Sequence, residues 1–155
     1  MNIIIIGDII LDINNTSEIK RNAPEADIPI YNILGVNYIL GGSSNVAQNL
    51  KNLGVNVEII SVIGNDIYGN IVTDLLDKKC VSHKLFIDTE RNTTQKNRIF
   101  LNNTLHVRYD IESTNDISNS IEQEIIEYIT KKTNIDAIII SDYDKGVVTE
   151  NLSQT

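Results

Sequence analysis

GGSSNVAQNLKNLGVNVEIISVIG, residues 41–64, is the stretch whose reading decides the fold of this chain. Two adjacent glycines, Gly41 and Gly42, permit a tight turn and a close approach of backbone to ligand. Ser43 or Ser44 is placed to cap a helix, along which Val46, Ala47, Leu50 and Leu53 recur at helical spacing. Gly54 is placed to end it. Residues 57–63 then form an apolar, β-branched run suited to a buried strand, closed by Gly64. Free N–H groups at a helix start beside two glycines offer a polar, anion-tolerant pocket.

Working outward, residues 2–6 (NIIII) are expected to be a central parallel strand ending at Gly7. Asp8 and Asp12 follow its carboxyl end, where ligands bind in open α/β sheets. The pattern alone balances evenly between ligand-binding acids and solvated loop acids. Residues 16–27, polar and containing Pro24, are expected to be loop. Ile28, Ile30 and Ile33 alternate as an edge strand limited by Pro29, and residues 37–40 as a second short strand.

Beyond Gly64, Asn65 or Asp66 caps a helix striped by Ile67, Ile71, Val72, Leu75 and Leu76, with Lys78 and Lys79 at its negative end. A short strand is expected at 84–87. Residues 93–101 and 104–111 form a hairpin around Asn102-Asn103, a pair that tolerates left-handed turn geometry. Lys96, Arg98, His106 and Arg108 give it a basic side. Solvated strand positions explain any one of them, whereas together they point to an anionic ligand. Ile121, Ile125, Tyr128 and Ile129 mark a helix of about four turns. Residues 137–140 are another buried strand, followed by Ser141-Asp142-Tyr143-Asp144-Lys145-Gly146 and the start of a further helix. Alternating strands and helices define an α/β class with a mainly parallel sheet. The segments outside that alternation are expected as a small β-layer projecting over the site.

Composition narrows the function. A formal charge of −8 over 155 residues disfavours nucleic acid as main partner. The first isoleucine run is too short to span a membrane, and no basic segment precedes it as in a signal peptide. One cysteine, Cys80, excludes an internal disulfide and suits a reducing, cytoplasmic setting; packing is its expected role. No G-x-x-x-x-G-K-[ST] loop occurs, and no G-x-G-x-x-G follows the first strand. Cys80, His83 and His106 have no zinc-like spacing, so no metal site is expected. Carboxylates and an amide around a glycine turn suit a polyhydroxylated ligand.

The spacing of Gly41, Gly42, Asn45, Ala47, Gly54 and Gly64 resembles the first signature of the ribokinase-like (PfkB) carbohydrate kinases, with Ser43 a mild departure. GDIILD, NAPEADIPIYNI, NTTQKNRIF, LHVRYDIES and IIISDYDKGVVT are similar to that family's heptose-7-phosphate kinase branch. Asp27 stands where the branch usually has proline, and Asp144 where it usually has glycine. The resemblance covers essentially the whole chain, and implies that residues 1–155 are the N-terminal part of one ribokinase-like kinase domain.

From the resemblance, residues 13–40 and 93–112 would be the β-lid. Asp12, Gly41, Gly42 and Asn45 would hold sugar hydroxyls. Lys96, Arg98 and Arg108 would meet a sugar phosphate, and Asp142 and Lys145 would line the cleft near the transferred phosphate. The intact family enzyme uses ATP and Mg²⁺. The family's second signature, which carries the catalytic aspartate and precedes the nucleotide pocket, is not found in these residues, so no tight ATP or metal binding by this chain alone is expected. Implied partners are a sugar or sugar-phosphate substrate and either a homodimer through the lid or a complementary C-terminal half. The competing expectation is a non-catalytic sugar-phosphate-binding or oligomerisation module.

Overall fold

The computed structural model describes residues 1–154; Thr155, the last residue of the expected domain and of the expected final helix, lies outside the described residues. One four-stranded sheet is wholly parallel. It comprises β1 (Asn2–Gly7), β4 (Asn56–Gly64), β5 (Ser82–Asp88) and β8 (Ala137–Ser141), in the order β5-β4-β1-β8. The isoleucine run of β1 feeds two cores at once. Ile3 and Ile5 join the cluster that contains Ala47, Val72 and Leu76, whereas Ile4 and Ile6 join the one that contains Ile125 and Ile129. A strand covered on both faces needs no polar alternation, which is why it reads as unbroken isoleucine. Full burial of each such side chain is worth about 1.5–3 kcal/mol.

The first cluster is closed by α1 (Ser43–Asn52) and α2 (Ile67–Lys78), the second by α3 (Asn119–Thr130). At twelve residues, α3 makes little more than three turns rather than four. A single-turn α4 (Glu150–Ser153) follows the loop after β8, and its Leu152 joins the second cluster.

The second sheet contains β2 (Ile9–Asn22), β3 (Pro29–Gly42), β6 (Gln95–Leu101) and β7 (Thr104–Ile111), ordered β3-β2-β6-β7. Here the structure corrects two expectations. Residues 16–22 are strand, not loop, because β2 stays paired with β3 out to Asn22 and with β6 as far as Ser17. Their polar side chains also find partners, Ser17 Oγ donating to the Phe100 carbonyl at 2.9 Å. Only residues 23–28 turn, closed by the Ala23 N–H to the Ile28 carbonyl at 2.8 Å.

The two short strands expected at 28–33 and 37–40 are one 14-residue edge strand with Pro29 as its first residue. Leu34 interrupts the alternation as a bulge, since Thr16 and Ser17 pair with Gly35 and Ile33. The expected hairpin is present. Asn102 and Asn103 take φ of 50° and 63°, as a two-residue turn of this hand requires.

Helix ends supply further corrections. Neither Ser43 nor Ser44 caps α1: Gly42 occupies that position at φ 60°, and the Asp8 carbonyl accepts the Ser43 N–H at 2.9 Å. Asp66 caps α2 as expected, accepting the Gly69 N–H at 2.8 Å. Leu53 and Ile67, assigned to apolar stripes, are 78% and 66% exposed, Leu53 as the C-cap of α1 and Ile67 as the first residue of α2.

Both helices end in the same two bonds. Val55 and Gly54 N–H groups reach the Leu50 and Lys51 carbonyls, and those of Val81 and Cys80 reach Leu76 and Asp77. Cys80 therefore takes the position usually given to glycine, at φ 52°, and is exposed rather than packed. Asp144, at φ 59°, sits at another left-handed position, which accounts for the glycine expected there.

Candidate functional site

Asp12, Lys96, Arg98 and Arg108 come together where β2, β6 and β7 meet the loop after β8. Asp12, on β2, pairs across the sheet with Ile39 of β3 and with Lys96 of β6. Its Oδ1 accepts a bond from Arg98 Nη1 at 2.6 Å, both side chains being partly buried. A Cβ built on Gly41 would lie 2.6 Å from Asp12 Oδ2. Gly41 is thus needed to leave room for the carboxylate. Gly42 is needed for a different reason, its positive φ and the Asp8 carbonyl 2.3 Å from where its Cβ would stand.

Arg98 and Arg108 are direct cross-strand partners on β6 and β7. Like charges in that register repel, and each is matched by its own carboxylate. Arg108 meets Asp110 at 2.6 Å and Arg98 meets Asp12. The Arg108 guanidinium holds the Asp110 carboxyl below its ordinary range. His106 does not join them: it lies at the β7 bulge, and its ring meets Tyr31 edge-on at 6.2 Å.

Two contacts tie this sheet to the loop after β8. Lys96 Nζ stands 6.0 Å from the centre of the Tyr143 ring, and Lys145 Nζ meets Glu112 Oε1 at 3.1 Å. Asp142 is exposed and accepts the Asp144 N–H at 2.8 Å. Asn45 is exposed on the first turn of α1. The site is an open face; clefts at the amino ends of β1 and β4, and between residues 87–91 and 113–121, contain none of these side chains.

Asp8 resolves the question its position raised. It is 1% exposed and accepts backbone N–H groups from Tyr143 at 2.7 Å, Val147 at 3.1 Å and Lys145 at 3.3 Å. Burial outweighs those three bonds and pushes its carboxyl above the ordinary aspartate range, with Asp142 adding a smaller push.

Several residues of the site escape a reading by pattern. Asp110, on β7, and Glu112, just beyond its end, follow Arg108 at a two-residue period, which is the faint signal that points to them. Arg91 carries no such signal. It bonds Asp88 and the carbonyls of Lys145 and Asn115, each at 3.0 Å, and so locks three loops together.

Among the described residues no group of three or more His, Cys, Asp or Glu is arranged to hold a metal ion. No helix there is long and apolar enough to cross a membrane.

The sequence pattern of the pfkB family carbohydrate kinases matches residues 1–154. The chain is 37% identical over 155 residues to "Bifunctional protein HldE" of Aliarcobacter butzleri, covering 99% of the chain and 33% of that relative. It is 36% identical over 148 residues to the protein of the same name in Citrifermentans bemidjiense, covering 94% and 30%. It thus spans about a third of the length of these curated relatives.

Among solved structures it superposes on a putative phosphofructokinase from Staphylococcus aureus with TM-score 0.74 at 13% identity, covering 98% of this chain and 47% of that one. Phosphofructokinase-2 from Escherichia coli, in complex with fructose-6-phosphate, gives TM-score 0.67 at 18% identity, covering 97% and 49%. At these identities the structural likeness concerns the fold: parallel sheet, flanking helices, ribokinase-like architecture.

Proposed function

The chain belongs to the pfkB family of carbohydrate kinases, and from that premise we propose that it forms the sugar-binding portion of an ATP-dependent kinase acting on a heptose phosphate. The observation that carries this reading is one shared face on which the Asp12 carboxylate lies over Gly41 beside the Arg98–Arg108 pair. A carboxylate accepts hydrogen bonds from sugar hydroxyls, and two guanidiniums suit a phosphate. The long match to the relatives named HldE supports the heptose-phosphate class.

In this reading Asp12 orients the sugar, with Gly41, Gly42 and Asn45 at its side. Lys96, Arg98 and Arg108 hold its phosphate. Asp142 and Lys145 close the far edge. The sheet formed by β3, β2, β6 and β7 acts as the lid over the sugar. Exposed Ile33, Leu34 and Val36 on its edge strand support a lid-to-lid contact between two copies. Ile138 and Ile140, exposed on the outer strand β8, support instead a complementary segment that extends the parallel sheet.

ATP and Mg²⁺ are the cofactors of family kinases. The residues described here do not fit a magnesium cage, having no suitable acidic cluster, and no step through a nucleotide is assigned to them. The catalytic base and nucleotide pocket are assigned outside residues 1–154. The same observation favours, as a second reading, a non-catalytic sugar-phosphate-binding module.

Calorimetric titration with D-glycero-D-manno-heptose 7-phosphate, beside a coupled assay of ATP consumption, tests both readings. Binding without turnover by the chain alone is the expected result. Turnover by the chain alone would place the catalytic groups within it, and absence of binding would overturn the sugar-site assignment.

A further inference from the structure

Asp8 bonds two separate walls of the candidate site. Its carboxylate accepts three alternate N–H groups of the loop after β8, those of Tyr143, Lys145 and Val147. Its backbone carbonyl accepts the Ser43 N–H at 2.9 Å, at the first residue of α1, and its own N–H donates to the Ser141 carbonyl at 3.1 Å. Asp142 and Lys145 lie on the first wall, Gly41, Gly42 and Asn45 on the second.

We propose that Asp8 is a positioning residue that sets residues 142–146 in register with the glycine turn at 41–43, acting through backbone bonds and without touching ligand. A carboxylate is suited to this because it has acceptors only, on two oxygens, whereas an amide of the same shape turns one of them into a donor. In Asp8→Asn, either the Val147 N–H or the pair from Tyr143 and Lys145 therefore faces a donor. A serine there could not reach three N–H groups spread over five residues.

Arg91 complements it by taking the Lys145 carbonyl at 3.0 Å, so the loop is held by its donors from one side and by an acceptor from the other. The charged groups on neighbouring elements are engaged elsewhere: Asp12 with Arg98, Lys145 with Glu112 and Arg91 with Asp88. Asp142 is the one that acts on the Asp8 carboxyl electrostatically. The first turn of α1 carries no acid.

The link from this loop to ligand affinity rests on the proposed sugar site; the placement of the loop does not. The test compares the ¹⁵N-labelled chain with Asp8→Asn and, as a control of buried-carboxylate loss elsewhere, Glu122→Gln. In Asp8→Asn, amide exchange at Tyr143, Lys145 and Val147 is expected to accelerate at least tenfold relative to Ile5 and Ile59. Affinity for heptose 7-phosphate should fall about tenfold. Glu122→Gln should do neither.

Equal acceleration in both variants, or a uniform rise that includes Ile5 and Ile59, would overturn the proposal. Should Asp8→Asn not fold, the wild-type chain decides by its own titration. The amide shifts of 143, 145 and 147 are expected to share the midpoint of the Asp8 carboxyl carbon, and separate midpoints would overturn it. A wild-type chain that binds no sugar phosphate refutes the proposed function, while the exchange and titration results still decide the role of Asp8.

Discussion

Asp12 and Arg98, 86 residues apart in sequence, meet at 2.6 Å on adjacent strands of the second sheet. The pair is partly exposed, so it adds little to stability, about 1 kcal/mol at most. Its significance is chemical. Asp12→Asn should leave the melting temperature within a few degrees of wild type yet reduce sugar-phosphate affinity at least tenfold. That is the loss expected of hydrogen bonds to a charged group, about 1.5–3 kcal/mol. Calorimetry beside thermal denaturation reads both.

The two glycines of the turn should respond differently to alanine. At Gly41 the added Cβ meets the movable Asp12 carboxylate, so Gly41→Ala is expected to fold and to lose ligand affinity. At Gly42 the Cβ meets the Asp8 backbone carbonyl at 2.3 Å with φ at 60°, so Gly42→Ala is expected to lose stability outright. Urea denaturation of the two variants distinguishes them. Equal destabilisation would mean that Gly41 is there for the fold alone.

Arg98 and Arg108 face each other across β6 and β7, and a bound phosphate would relieve their repulsion. Arg108→Ala should therefore weaken binding of heptose 7-phosphate about tenfold or more while leaving any binding of the unphosphorylated heptose unchanged. An equal loss for both ligands would remove the phosphate from this face.

Much of the architecture is legible in the sequence because burial on two faces writes itself plainly. β1 and β4 read as apolar runs, α2 carries Asp66 as its cap, and Asn102-Asn103 marks its turn. β2 and β3 are hidden by the opposite circumstance. Residues 16–22 are largely polar, and what holds them extended is pairing with β3, joined at Thr16 and Ser17 by β6 from far along the chain.

The site divides in the same way. The glycines stand out by spacing and Asp8 and Asp12 by their place after the first strand, whereas the bonds of Asp8 and Arg91 run to backbone groups of loops distant in sequence. No local pattern announces that. Ser43 and Ser44 mislead because the Asp8 carbonyl already satisfies the first N–H of α1.

Cys80 offers a stability test away from the site. It holds φ 52° at the position after the α2 cap where glycine has no steric cost. Cys80→Gly should stabilise the chain by about 1 kcal/mol, a rise in melting temperature of roughly 2–4 °C. Asp144→Gly, at φ 59°, should gain less, because aspartate tolerates this region better than cysteine.

Glu122 contributes to stability on the acid side. It is buried on α3 and accepts bonds from Thr149 and Asn151, which hold its carboxyl below the ordinary glutamate value of 4.5. Below that value the unfolded chain binds more protons than the folded one. The contribution is therefore present above pH 4.5 and is lost as pH falls through the folded value. Amide exchange at Leu152, whose N–H donates to Thr149 at 3.0 Å, should accelerate over this range in wild type and show a much weaker pH dependence in Glu122→Gln.

The most direct measurement is calorimetric titration of the chain with heptose 7-phosphate, repeated on Asp12→Asn and Arg98→Ala. One site per chain is expected, with affinity reduced at least tenfold in each variant and the fold unchanged by circular dichroism. Binding that survives both substitutions, or no binding by the wild-type chain, would contradict the assignment of this face to a sugar phosphate.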